Sequence, residues 1–134
     1  MKDYELVNKL QELFPVFSET YDGDDHVYMV FGGLGSYFSD LMDLYGSDKI
    51  EFRSYYYSNV ESFYKDRNIL INEIKNIFIF IDELYSYEDN VIRDLLNTCI
   101  LEAIIGSDYS YNLARKYLSK ETYNHYLEIC KRVI

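Results

Sequence analysis

Tryptophan is absent from this chain of 134 residues, proline occurs once, cysteine and histidine twice each, and acidic residues outnumber basic ones by 23 to 13. Each shortage removes a class of explanation. Two cysteines, Cys99 and Cys130, are too few for the disulfide framework of a small secreted scaffold. Both fall in apolar helical surroundings, where a reduced thiol behaves as a small hydrophobe. One proline and six glycines leave little material for flexible linkers, and we find no repeat and no low-complexity tract. No apolar run approaches the roughly 20 residues that a membrane span needs. The longest candidate, Ile77-Phe78-Ile79-Phe80-Ile81, stops at Asp82-Glu83. Met1-Lys2-Asp3-Tyr4-Glu5 starts acidic with no apolar segment behind it, so no secretory signal is expected and a cytoplasmic location is. The shortage of base leaves a net charge of −10, which disfavours nucleic acid and anionic membrane and makes a basic partner the natural complement.

What the chain does have is apolar material, 49% of its residues, enough to bury a core over a length typical of one domain. A single domain over residues 1–134 is expected. Sixteen tyrosines stand out. An AT-rich genome accounts for them as well as a binding role does, although such a genome also enriches lysine and so leaves the acidity unexplained. Tyrosine suits interfaces because it carries apolar area and a hydroxyl at low entropy cost.

The apolar residues recur mostly at helical spacing, which predicts an all-α bundle of about six helices. Leu6, Val7, Leu10, Leu13 and Phe14 form one stripe, ended by Pro15. Residues 18–25, with Asp22-Gly23-Asp24-Asp25, read as an exposed acidic loop. Residues 27–45 admit two readings. In one, Val27-Tyr28-Met29-Val30-Phe31 is a strand feeding a glycine loop at residues 32–35. In the other, the whole segment is a helix with Val27, Phe31, Leu34, Phe38, Leu41 and Tyr45 on one face, and this reading is favoured. Residues 49–64 pull two ways, Tyr55-Tyr56-Tyr57 suiting a strand while Val60, Phe63 and Tyr64 suit a helix. Leu70, Ile74, Ile77, Phe78, Ile81 and Leu84 mark a core helix. Ser86-Tyr87-Glu88-Asp89 resembles a capping box for a second one, which runs through Val91, Ile92, Leu95, Leu96, Cys99, Ile100 and Ile104 to Gly106. A short helix over residues 112–118 and a last one capped by Ser119 complete the pattern.

Motifs of catalysis or ligation are missing. Gly32-Gly33-Leu34-Gly35-Ser36 lacks the dinucleotide-binding spacing and the Lys-Ser/Thr of a P-loop, and Asp40 and Asp43 oppose an anionic ligand. With Asp22 as position one, a calcium loop needs glutamate at position twelve; this chain has Gly33 there. His26 reads as an exposed loop residue and His125 as a surface or partly buried helical one, with no metal-ligand spacing around either. No G-x-S-x-G and no Cys–His pairing is present. A non-catalytic protein without a cofactor or metal is therefore expected. Charge is the stronger signal. Residues 1–48 hold ten acids against Lys2 and Lys9, a net of −8, whereas residues 49–134 hold thirteen acids against eleven bases, a net of −2. A field that lopsided speeds encounter with a basic surface.

Leu10-Gln11-Glu12-Leu13-Phe14-Pro15, Val30-Phe31-Gly32-Gly33-Leu34-Gly35, Ile77-Phe78-Ile79-Phe80-Ile81-Asp82-Glu83 and Leu95-Leu96-Asn97-Thr98-Cys99-Ile100-Leu101-Glu102 together resemble small all-helical bacterial domains. Some members of that group accompany polymorphic toxins as immunity proteins. The resemblance implies a protein that binds and neutralises a cognate toxin; it assigns no functional residue. A nuclease toxin must be basic to hold its substrate, so an inhibitor that covers its active site is best made acidic, with aromatic anchors. The candidate partner-binding residues are Asp22, Asp24, Asp25, Asp40, Asp43 and Asp48, with Tyr21, Tyr28 and Tyr45 as anchors. Two alternatives stand beside this reading: a regulatory or adaptor protein for another partner, and a nucleotide- or phosphate-binding protein using residues 32–35.

Overall fold

Pro15 sets the first corner. In a computed structural model that describes residues 1–46, 61–106 and 108–133, helix α1 (Asp3–Leu13) stops before Phe14, and Pro15 takes the first position of α2 (Pro15–Thr20). A missing N–H costs nothing there, because the first helical donors have no intrahelical acceptor. The acidic loop is consequently shorter than the sequence suggests, since residues 18–20 belong to α2.

The next helix, α3, runs unbroken over Val27–Gly46. This decides between the two readings of the glycine segment. Residues 32–35 lie inside a helix, their N–H groups committed to its ladder, so no strand–loop–helix cradle for a phosphate exists and the nucleotide-binding alternative loses its basis. Packing explains two of the three glycines. A Cβ on Gly35 would stand 1.8 Å from the Cys99 carbonyl oxygen, and one on Gly33 would stand 2.7 Å from the Tyr21 ring. Both contacts exist only because those side chains are missing.

Helix α4 (Arg67–Ser86) buries Leu70, Ile74, Ile77, Phe78, Ile81 and Leu84, the stripe its spacing predicts, and Asp66 caps it by accepting from the Asn68 N–H at 2.8 Å. Ser86 ends this helix rather than capping the next. Asp89 is the cap of α5 (Asn90–Asp94), accepting from the Ile92 N–H at 3.0 Å. The winding then changes. Leu95–Leu101 is π-helical and Glu102–Ile104 a 3₁₀ turn, ending at Gly106 with φ +115°. The sequence carries the reason: Leu95 and Ile100, like Leu96 and Leu101, are five residues apart, which matches the wider π turn, and all four are buried.

Helices α6 (Asp108–Tyr117) and α7 (Lys120–Val133) close the bundle. Their joint is pinned by Asp82 of α4, which accepts from both the backbone N–H and the hydroxyl of Ser119 at 3.1 Å. Among the described residues there are seven α-helices and no strand, an all-α fold. None of these helices is long and apolar enough to cross a membrane. Asp48 and most of residues 49–64 lie outside the described residues; a 3₁₀ turn at Glu61–Phe63 leads to the buried Tyr64.

Helix α3 is the axis of the bundle, packed against α1, α4, α6 and the π segment. Edge-to-face ring pairs such as Phe14–Phe80 (5.5 Å) and Phe38–Phe78 (5.0 Å) fill the space around it. Part of the tyrosine excess is core as well. Tyr37 and Tyr64 both donate to Glu73, at 2.7 and 2.8 Å, while their hydroxyls also touch, and Tyr126 donates to the Ile104 carbonyl at 3.1 Å. Burial pushes all three phenols well above the usual range, so they stay protonated donors.

Candidate partner-binding surface

The loop before α3 is ordered by its own polar side chains. Tyr21 donates its hydroxyl to the Asp24 carbonyl at 2.7 Å, and its ring lies 5.3 Å from Phe17. Asp24 accepts from the His26 N–H at 2.8 Å, and His26 Nδ1 accepts from the Tyr28 N–H at 3.3 Å, capping the helix. Asp22, Asp24 and Asp25 are all exposed to solvent in this loop. Tyr28, on the first turn, is 38% exposed and donates its hydroxyl to Asp94 Oδ2 at 2.6 Å. The bond to the Asp94 carboxylate, with some desolvation and the nearby Asp3, pushes the phenol up to about 12. Exposed apolar side chains adjoin this pair: Met29, next to Tyr28 in the chain, at 56%, and Val91, one turn before Asp94, at 46%.

The other candidates lie elsewhere. A helix of 20 residues is roughly 30 Å long at 1.5 Å per residue, so Asp43 and Tyr45 are at the far end of α3 from Asp24 and Tyr28. Asp40 is only 5% exposed, which removes it from any acidic surface. Asp43 accepts from the Tyr109 hydroxyl at 3.0 Å. Tyr45 is covered by Arg67, whose guanidinium sits 4.6 Å from the ring and donates to the Tyr45 carbonyl at 2.7 Å. The nine candidates therefore divide. Asp22, Asp24, Asp25, Tyr21 and Tyr28 come together; Asp40, Asp43 and Tyr45 form a separate end that the bundle has already partnered; Asp48 lies outside the described residues.

Sequence reasoning missed Asp94, which is 66 residues from its partner Tyr28 and carries no local signal. Met29 was within reach, since the helical reading of α3 leaves it off the apolar face. It also missed a groove of about 620 Å³ beside α7, lined by Tyr85, Glu121, Asn124, His125, Glu128 and Lys131. There His125 Nε2 bonds Asn97 Oδ1 at 2.6 Å, joining α7 to the π segment, and its ring lies 4.9 Å from Tyr85. Arg93 covers the Tyr85 ring at 4.3 Å and donates to the Tyr85 carbonyl at 2.9 Å. Burial, with Arg93 and Arg132 nearby, lowers the His125 pKa and favours the neutral imidazole. Carboxylates and cations mingle around this groove, so it selects no ligand charge. Burial raises the Cys99 thiol, the opposite of what an activated thiolate needs. Among the described residues no three His, Cys, Asp or Glu side chains are grouped so as to hold a metal ion.

A family model described as a domain of unknown function, DUF7674, matches residues 66–133, just over half of the chain. No curated protein and no solved structure matches it. The matched residues include α4 to α7, the π segment and the His125 groove, while the acidic loop lies outside them.

Proposed function

We propose that this chain, which belongs to the DUF7674 family, is a non-catalytic binding protein that captures a basic partner, in the manner of an immunity protein neutralising a cognate toxin, a nuclease above all. One observation supports this reading most: Asp22, Asp24 and Asp25 project from a loop ordered by its own hydrogen bonds, beside an exposed Tyr28 already bonded to Asp94. A carboxylate held in place, as Asp24 is by the His26 N–H, loses little freedom on binding, and an exposed aromatic beside it is the usual composition of an interface anchor. A basic toxin covered at this surface would be kept from its nucleic acid by occlusion alone. A regulatory protein for another basic partner would use the same surface, and the identity of the partner separates the two.

The test starts from the adjacent gene upstream, which is expected to end in a basic C-terminal toxin domain. The full chain should bind that domain with an affinity that falls as salt rises and should suppress its activity. A neighbour without such a domain, or binding indifferent to salt, overturns the immunity reading.

A further inference from the structure

Gly32 is the glycine of the 32–35 run that the bundle does not use. A Cβ there would meet nothing within 4 Å, whereas Gly33 accommodates Tyr21 and Gly35 the Cys99 carbonyl. Glycine inside a helix still costs stability relative to alanine, so the packing of the bundle supplies no reason for it. Helical spacing places Gly32 four residues after Tyr28 and three after Met29, on the same outward strip of α3. Met29 is 56% exposed, and Val91 at 46% lies one turn before the Asp94 that receives the Tyr28 hydroxyl. The strip thus offers apolar side chains at Tyr28 and Met29, a low point one turn further on at Gly32, and acids beside its first turn in Asp24, Asp25 and Asp94.

We infer that this outward face of α3 docks a basic amphipathic helix of a partner protein, which approaches closely over Gly32, sets apolar side chains against Tyr28 and Met29, and brings Lys or Arg to Asp94, Asp24 and Asp25. Charge complementarity selects that occupant. A second copy of the chain would bring the same acids against themselves, and nucleic acid or an anionic membrane would be repelled in the same way. A helix fits because the distance between packed helices is set by the side chains at their crossing, and a glycine there permits the closest approach. The inference rests on the basic-partner reading above and adds the contact face and the shape of the partner.

The probe is a synthetic amphipathic helical peptide of leucine and arginine, with a leucine–glutamate peptide as control, titrated into the ¹⁵N-labelled full chain at low salt. Saturable binding is expected for the basic peptide alone, with amide shifts centred on Tyr28, Met29, Gly32 and Ser36. Gly32→Leu fills an open position and so leaves the fold intact; it should weaken the peptide about tenfold, as should Met29→Ser, by loss of close apolar contact. Melting temperatures identify any variant that fails to fold, and Met29→Ser then decides alone. Wild-type affinity in the folded variants, with shifts confined to residues 22–25, overturns the docking face and leaves charge attraction standing. No saturable binding of the basic peptide overturns the face and the basic-partner reading together.

Discussion

Residues 1–46 and residues 66–133 are built from the same kind of amphipathic helix, yet they differ in how their charges balance. The first region holds nine acids against Lys2 and Lys9, and its loop acids remain in solvent. The second holds eleven acids against eight bases, and three of these charged side chains join parts of the bundle: Arg67 on Tyr45, Arg93 on Tyr85, Asp82 on Ser119. The family match covers the second region alone. The scaffold that defines the family and the surface best suited to a partner are therefore carried by different halves, joined where Gly35 meets Cys99 and Tyr28 meets Asp94. An exposed carboxylate is available for recognition, and where it also holds a neighbour, as Asp94 holds Tyr28, it fixes the geometry of the surface as well.

The joint is the first place to break the comparison. Gly35→Ala puts a methyl group 1.8 Å from the Cys99 carbonyl oxygen, so α3 and the π segment must part. A loss of about 3 kcal/mol is expected in denaturant unfolding, at the upper end for overpacking. Gly32→Ala, one turn away and in open space, should instead stabilise the free protein by about 0.5–1 kcal/mol. Equal effects at the two positions would show that the two halves are not locked at this contact.

Charge reversal tests the surface itself. Lysine at Asp22, Asp24 and Asp25 together should slow association with a basic partner at low salt by about tenfold or more, whereas Asp43→Lys, at the partnered end of α3, should leave the rate nearly unchanged. Stopped-flow measurements over a salt series would check both. Similar losses from the two variants would mean that total charge, not the loop, does the steering.

The second link between the halves is read by titration. Tyr28 has a folded pKa raised to about 12 from an ordinary value near 10, so its bond to Asp94 contributes stability that is complete below pH 10 and is lost as pH rises towards 12. Asp94→Asn should return the Tyr28 ring signals in ¹³C NMR towards the ordinary midpoint. An unchanged midpoint would remove Asp94 as the cause.

His125 gives the smallest effect and lies wholly in the second region. Its folded pKa is lowered, so its contribution to stability is present above the unfolded value of 6.5 and is lost as pH falls through the folded pKa. Melting temperature should therefore decline more steeply below pH 6.5 in the wild type than in His125→Asn. Partner binding should not change, because His125 bonds Asn97 within the bundle and makes no bond to the acidic loop or Tyr28.

Much of this architecture was legible along the chain. The stripe of α4 and the stop at Pro15 follow from the residues alone, since an amphipathic helix advertises its buried face every three or four residues. The same spacing favours the helical reading of α3 over a strand and glycine loop. The acidic loop was legible too, because three aspartates around a glycine have few stable fates but a solvated turn. The site was only half readable. Asp40 carries the same local signal as Asp43, and its burial arises because the C-terminal half of α3 is surrounded on nearly every side by neighbours that the sequence does not announce. The π segment shows itself only once its apolar doublets are counted at a spacing of five rather than four.

By itself, then, the sequence determined an acidic all-helical chain with its negative charge concentrated in the first third, because composition and periodicity are properties of neighbours along the chain. The tertiary structure alone decided which acids meet solvent, that Tyr28 is held by Asp94, and that Gly33 and Gly35 are packing devices while Gly32 faces outward. Those outcomes depend on distances between residues far apart in sequence, and only the packing of helices against one another sets such distances.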